Sequence, residues 1–405
     1  MNILFLLPRF SENKNDSSLE KELVMEFAEQ GHQVYVSIIL ERYLRQKTHI
    51  KEVEGVQLLK IRTGNYYKDN IKYYERGITY MVLPFIFYRE ISRLIGEVKI
   101  DLVILSTPMM NNPWLMRKLK QKFGCKVILI IWDIFPQNGI DMGIIKNKQL
   151  IRFLTNKYTK ALKLADIVTA MSSGNRKYLA EHFKLDESKL LVLKNWAKIT
   201  PQLQDNRKEI RQKYSFHEDD FLMIFGGNMG KPQRLENLLN LAQRVKNDPK
   251  VKILFVGKGT ELTRLGTQAQ EMNLSNVSFI YQIPRKDYEE LTKACDIGLV
   301  SLDERFTIPN YPSKTTDYFK LGLPILASLD ACSAQDYGVF LRDETKTGLF
   351  GRAGDGDDLY QKFMELYRDN SLRQQMGRNG RQYYEACLGV NKAYQTLMDK
   401  YKELV

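Results

Sequence analysis

"NYPSKTTDYFKLGLPILAS", residues 310–328, reads as a loop, a short helix and a buried strand. Pro312, Ser313, Lys314, Thr315 and Thr316 stand at the start of that helix. A first helical turn leaves backbone N–H groups unpaired and carries partial positive charge, which small hydroxyl residues and a lysine reinforce. That is chemistry for a phosphate. The alternative is an ordinary N-cap, with Ser313 or Thr315 accepting from the backbone and Lys314 in solvent.

Working outward, the same strand–loop–helix alternation fills the chain. Short apolar runs at 3–7, 33–39, 56–61, 102–106 and 126–132 lack strict alternation, as strands covered on both faces do. Helical patterns separate them, such as "SSLEKELVMEFAEQG" with Ser17 and Ser18 as caps and Gly31 as a stop. A polar connector, "KITPQLQDNRKEIRQKYSFHEDD", precedes a second series at 221–225, 252–256, 277–281, 297–301 and 325–327, with helices near 235–245, 262–272, 287–294 and 316–321. The fold class is α/β, with two doubly wound, Rossmann-like domains. Ligands of such sheets bind beyond the carboxyl ends of the strands, and two domains face to face make a cleft.

Composition narrows the function. An apolar fraction of 43% across 405 residues excludes a disordered or fibrous chain. Cys125, Cys295, Cys332 and Cys387 are scattered without a CxxC pair, so neither a disulfide framework nor a zinc site is expected. "MNILFLLPRF" has no basic n-region or cleavage site and fits a first strand, and no apolar run is long enough to span a bilayer, so a cytoplasmic protein is expected. The formal charge of +13 is uneven: residues 1–200 hold 32 Lys and Arg against 20 Asp and Glu, whereas residues 201–405 hold 29 against 28.

Four strand ends of the second series carry Gly, Pro or basic residues. "FGGNMGKPQRLENLL" (225–239) offers Gly227, Asn228 and Lys231 as a helix begins; "VGKGTEL" offers Gly257 and Gly259; "YQIPRKDYEEL" offers Gln282 and Ile283; the opening stretch is the fourth. Taken singly, each also fits a plain connector, since none is a GxxxxGK[ST] or GxGxxG loop.

In this order, "FGGNMGK", "FVGKGTEL", "NVSFIYQIP", "ACDIGLVSL" and "PSKTTDYFKLGLPILAS" resemble the nucleotide-sugar domain of retaining glycosyltransferases of family 4, which have the GT-B fold. "MNILFLLPRF", "GHQVYV", "ADIVTAMSSGNRKYL" and "VLKNWAK" resemble the same family's first half, and the subgroup that builds bacterial capsule and O-antigen polysaccharides, including N-acetyl-L-fucosamine transferases, is the most similar. The resemblance implies an acceptor-binding domain at 1–198, a nucleotide-sugar domain at 199–384 and a C-terminal helix, 385–405, packing back on the first. It implies a nucleotide-sugar donor, UDP-linked and N-acetylated, used as a substrate with no metal or other cofactor. A polyprenyl-diphosphate-linked saccharide would be the acceptor, and the basic first half would sit peripherally on the anionic inner face of the cell membrane.

Residue by residue, the resemblance places Tyr311, Pro312, Ser313, Lys314 and Thr315 around the diphosphate and Asp317 on the ribose. Lys231 and Lys314 would neutralise the leaving group. Many members carry two glutamates eight residues apart; here those positions are Pro309 and Asp317, so sugar contacts must come partly from elsewhere, with Asp303, Glu304 and backbone N–H groups near Tyr311 and Lys314 as candidates. In the first half, Asp133 of "IIWDIFPQNGI" either caps the next turn or contacts a sugar or acceptor hydroxyl. The loop "PRFSENKNDSS" replaces a glycine pair of the family, and His32 reads as a turn residue. A GT-B epimerase is the closest rival. An oxidoreductase lacks its GxGxxG, and no nucleic-acid module accompanies the charge.

Overall fold

The computed structural model describes residues 1–404 except 15, 69, 108–111 and 205, and only the backbone of residue 73; the expected 385–405 helix, the first-strand loop and the polar connector each include one residue outside that set. The chain divides into two compact units, one formed by 1–140, 145–198 and 390–405, the other by 141–144 and 199–389.

Unit 1 is built on strands β1 (Asn2–Leu6), β2 (Gln33–Glu41), β3 (His49–Val53), β4 (Val56–Thr63), β5 (Leu102–Ser106), β6 (Lys126–Ile130), β7 (Ile167–Ala170) and β8 (Leu190–Val192), in the spatial order β3-β4-β2-β1-β5-β6-β7-β8. All neighbours are parallel except β3 and β4, whose hairpin turns at Glu54 and Gly55, both with positive φ, as a two-residue type I′ turn requires. The helices are α1 (Leu19–Glu29), α2 (Tyr73–Ile95), α3 (Pro113–Phe123), the short α4 (Gln137–Asp141), α5 (Lys148–Leu164) and α6 (Ser173–Phe183). Ser18 caps α1 by accepting from Lys21 N, whereas the Ser17 hydroxyl turns to Glu22.

Unit 2 begins with α7 (Arg207–Lys213) and contains β9 (Phe221–Asn228), α8 (Glu236–Val245), β10 (Val251–Lys258), α9 (Leu262–Glu271), β11 (Val277–Tyr281), α10 (Arg285–Lys293), β12 (Ile297–Ser301), α11 (Lys314–Leu321), β13 (Ile325–Leu329), α12 (Ala331–Ser333), β14 (Gly348–Arg352), α13 (Gly356–Arg368) and α14 (Asn370–Cys387). Its sheet is wholly parallel in the order β11-β10-β9-β12-β13-β14, the 3-2-1-4-5-6 arrangement of a dinucleotide-type fold. The order reverses between β9 and β12, so the ligand crevice of this sheet belongs there.

The last helix, α15 (Val390–Lys402), belongs to unit 1, where Val390, Ala393, Leu397 and Tyr401 join the core beneath α1. The return comes at Val390 rather than 385, because α14 runs on to Cys387 before Val390 N donates to Ala197 O at 3.0 Å. Burying each such large apolar side chain stabilises by about 1.5–3 kcal/mol, which holds the terminus in place.

Candidate active site in the second unit

The site is set by where β9 and β12 part. They are paired only at Met223–Ile297 and Ile224–Gly298. Beyond that, the hydroxyl of Tyr318 on α11 lies 3.0 Å from both Ile224 O and Leu299 O and donates between them. Gly298 makes room, since a Cβ there would meet the Tyr318 ring at 2.5 Å. The buried tyrosine therefore pins α11 across the mouth of the crevice.

Two of the glycines read as loop residues lie within strands, because β9 runs to Asn228 and β10 to Lys258. In register, Gly257 pairs with Gly227. Gly257 has φ 144° and a Cβ on it would come 2.0 Å from Gly227 O; Gly227 itself has φ 121°. Only glycine fits such an approach, which leaves the backbone bare of side chains at both positions, exposed at Gly227 and buried at Gly257. Gly259 packs as closely on Met229 O, at 2.3 Å for a notional Cβ. Tyr281 ends β11 opposite Gly257, which puts exposed Gln282 and half-buried Ile283 just beyond the same edge.

Lys231 opens a single 3-10 turn, Lys231–Gln233, and is exposed. Gln233 of that turn accepts from Lys314 Nζ at 2.9 Å, and the ammonium also lies 4.7 Å from the centroid of the Phe225 ring. Burial pushes the Lys314 pKa down to about 8, with the negative charge of Asp317 opposing the shift. This lysine is held by a neutral amide and an aromatic face, without a carboxylate in direct contact, so it keeps positive charge to offer an anion.

The opening stretch is not a simple N-cap. Ser313 is exposed and its side chain makes no capping bond, while Thr315 Oγ1 donates back to Pro312 O at 2.7 Å and meets Tyr337 Oη at 2.6 Å. Tyr311 is buried against Tyr337 and Phe340, with its hydroxyl unpartnered. With its ring packed away, it presents its backbone rather than its side chain. Asp317 is engaged by both terminal nitrogens of Arg285, one at 3.0 Å. Arg285 also reaches Glu289 at 2.7 Å, and Glu289 takes Lys320 at 2.9 Å, so α10 and α11 are tied by one charge network. Asp303 is fully buried and holds Arg305 through two side-chain bonds of 2.7 and 2.8 Å; despite desolvation, that pairing keeps its carboxyl below the ordinary range. Glu304 pairs with Arg234 at 3.3 Å.

A cavity of about 260 Å³ adjoins Lys231 and is lined also by Arg234, Arg264, Arg305, Glu236 and Asp303. A larger groove of about 760 Å³ lies between α9 and the edge strand β11, but no charged side chain lines it and it cannot neutralise a phosphate.

Asp133 belongs to unit 1, beyond β6. Its carboxyl, exposed at the surface, accepts from Asn138 Nδ2 of α4 at 3.1 Å. Sequence reasoning passed over Gln233 and Arg285, although both lie in stretches quoted for their glycines and prolines. The one available signal was Arg285 four residues ahead of Glu289 at a helix start.

Residues 206–383 match the family model described as "Glycosyl transferases group 1". The probable glycosyltransferase WbjE of Pseudomonas aeruginosa is 26% identical over 63% of each chain, and the putative colanic acid biosynthesis glycosyl transferase WcaI of Escherichia coli is 24% identical over 51% of this chain and 52% of its own. The chain thus matches roughly half to two thirds of the length of these curated relatives. Among solved structures, a sucrose-phosphate synthase from Thermosynechococcus elongatus superimposes with a TM-score of 0.75 at 16% identity, covering 100% of this chain and 98% of that one. Anabaena HepE in complex with UDP gives 0.70 at 14% identity, covering 100% of both. Residues 206–383 are thus similar to the group 1 glycosyltransferases, and the chain has the GT-B fold of its structural neighbours.

Proposed function

We propose that the protein is a retaining glycosyltransferase that moves a sugar from a nucleotide diphosphate donor, UDP-linked and N-acetylated, to a polyprenyl-diphosphate-linked saccharide in bacterial capsule or O-antigen synthesis. The observation that carries the donor chemistry is Lys314, a depressed-pKa ammonium without a carboxylate in direct contact, at the start of α11, bonded to Gln233 and over the ring of Phe225 on β9, the strand that also carries Gly227. The similar proteins WcaI, a putative colanic acid biosynthesis glycosyl transferase, and HepE, whose structure holds UDP, support the pathway and the nucleotide.

In this reading the glycine surface admits the diphosphate to within hydrogen-bond reach of backbone N–H groups. Lys314 and Lys231 stabilise negative charge as it grows on the leaving diphosphate, a role that does not call for a metal ion. Gln233 fixes the Lys314 ammonium, and Asp317, positioned by Arg285, faces the ribose. Asp133 of unit 1 contacts a sugar or acceptor hydroxyl. A lipid-linked acceptor puts the reaction at the inner face of the membrane, where the basic residues 1–200 meet anionic lipid; no helix among the described residues is long and apolar enough to cross a bilayer.

The test is a transfer assay with UDP-N-acetylhexosamines and a short-chain polyprenyl-diphosphate saccharide, with the product's anomeric configuration read by NMR. A product that keeps the donor configuration, formed equally in EDTA, is expected. An inverted product, abolition by EDTA with rescue by Mg²⁺, or donor turnover that ignores the acceptor, as in an epimerase, contradicts it.

A further inference from the structure

Helix α2 is apolar on two opposite faces. Thr79, Leu83, Phe87 and Ile91 are buried on one. On the other, Tyr74, Ile78, Met81, Val82 and Phe85 fall within an arc of about 100° and are exposed, Met81 at 72% and Ile78 at 60%. Apolar surface left open in one contiguous stripe marks an interaction face, whereas singly scattered apolar residues do not.

The flanking helices show what covers it. Trp114 of α3 packs on Phe85 and Tyr88 of α2, with ring centroids 4.4 and 5.6 Å apart. Lys157 of α5 donates to Tyr80 Oη at 3.0 Å and lies over its ring. Together α3 and α5 contain nine Lys and Arg and no Asp or Glu. Arg117, Lys122, Lys148, Arg152 and Lys160 among them are exposed, and α5 also exposes Leu150 and Phe153. Tyrosines and a tryptophan beside an apolar stripe and a cationic rim are the composition of an element lying in a lipid headgroup layer. A second copy of the chain would set one cationic rim against another.

We infer that the outer face of α2 inserts into the interfacial layer of an anionic bilayer while α3 and α5 hold its headgroups. This deepens the membrane reading above by giving the attachment an apolar component that salt does not screen. It needs no substrate, so its failure and that of the donor chemistry are separable.

The full chain is sedimented with phosphatidylcholine vesicles, with and without phosphatidylglycerol, at low and high salt. Wild type is expected to bind anionic vesicles at low salt and to retain part of that binding at high salt. Ile78→Glu/Met81→Glu, at exposed positions and with an unchanged thermal midpoint, is expected to bind about tenfold more weakly at low salt and to lose the salt-resistant part. Met81→Trp is expected to show blue-shifted fluorescence quenched by brominated lipid. Wild-type binding by the double variant, a Met81→Trp signal unaffected by bound vesicles, no binding by wild type, or a wild-type dimer that the double variant turns into a monomer would each overturn the inference.

Discussion

Lys314 concentrates the energetics of the site. Its folded pKa of about 8 lies below the ordinary 10.5, so between those values the unfolded chain binds more protons than the folded one. The stability of the unliganded protein is therefore expected to rise with pH across that window, because desolvation of the half-buried ammonium disfavours its charged form in the folded state. Lys314→Met is accordingly expected to raise the unfolding free energy at pH 7 by about 1–3 kcal/mol in denaturant titration, and to lower turnover by roughly 10²–10³-fold. Donor affinity should fall less than turnover, because the charge it meets grows toward the transition state. In wild type, activity should decline as pH rises through about 8 and the ammonium is lost. A variant with wild-type turnover contradicts the phosphate role.

At the scale of elements, the site depends on how closely β9 and β10 approach at their carboxyl ends. Gly257→Ala puts a methyl 2.0 Å from Gly227 O at a φ of 144°. The strand ends must then separate, and a loss of about 2–4 kcal/mol in denaturant unfolding is expected, with donor binding weakened beyond it. Gly227→Ala shares the unfavourable φ but meets no atom within 4 Å, so it should be the milder variant. Equal effects in the two would mean that strain alone, and not close approach, matters at this edge. The same elements show what the sequence hides. The long apolar strands were legible from their unbroken runs, but β14 (GLFGR) was not: Gly348 and Gly351 are needed because Cβ atoms would fall 2.4 Å from Ile325 O and 2.7 Å from the Leu359 backbone, and two glycines erase a strand signal. Polar β3 and three-residue β8 escaped for want of apolar length.

For the whole molecule, two largely parallel sheets follow from two series of apolar runs, and the candidate site of unit 2 follows from glycines and lysines at strand ends. The partners of those residues did not follow, because they come from distant positions: Gln233 meets Lys314 across 81 residues and Arg285 meets Asp317 across 32. Nor could composition alone show that one face of α2 is open while the other is core, since both are equally apolar in sequence. Whether the crevice between β9 and β12 holds the diphosphate of a nucleotide donor is read from thermal unfolding of the purified chain titrated with UDP. Ligand binding to the native state alone raises the midpoint with concentration, by about 2.7 kcal/mol of apparent stability at a hundredfold excess over Kd. Such a rise is expected in wild type, with a marked reduction in Gly257→Ala; a wild-type midpoint unmoved by UDP, by UDP-sugars or by any other nucleotide diphosphate would mean that the crevice holds no diphosphate.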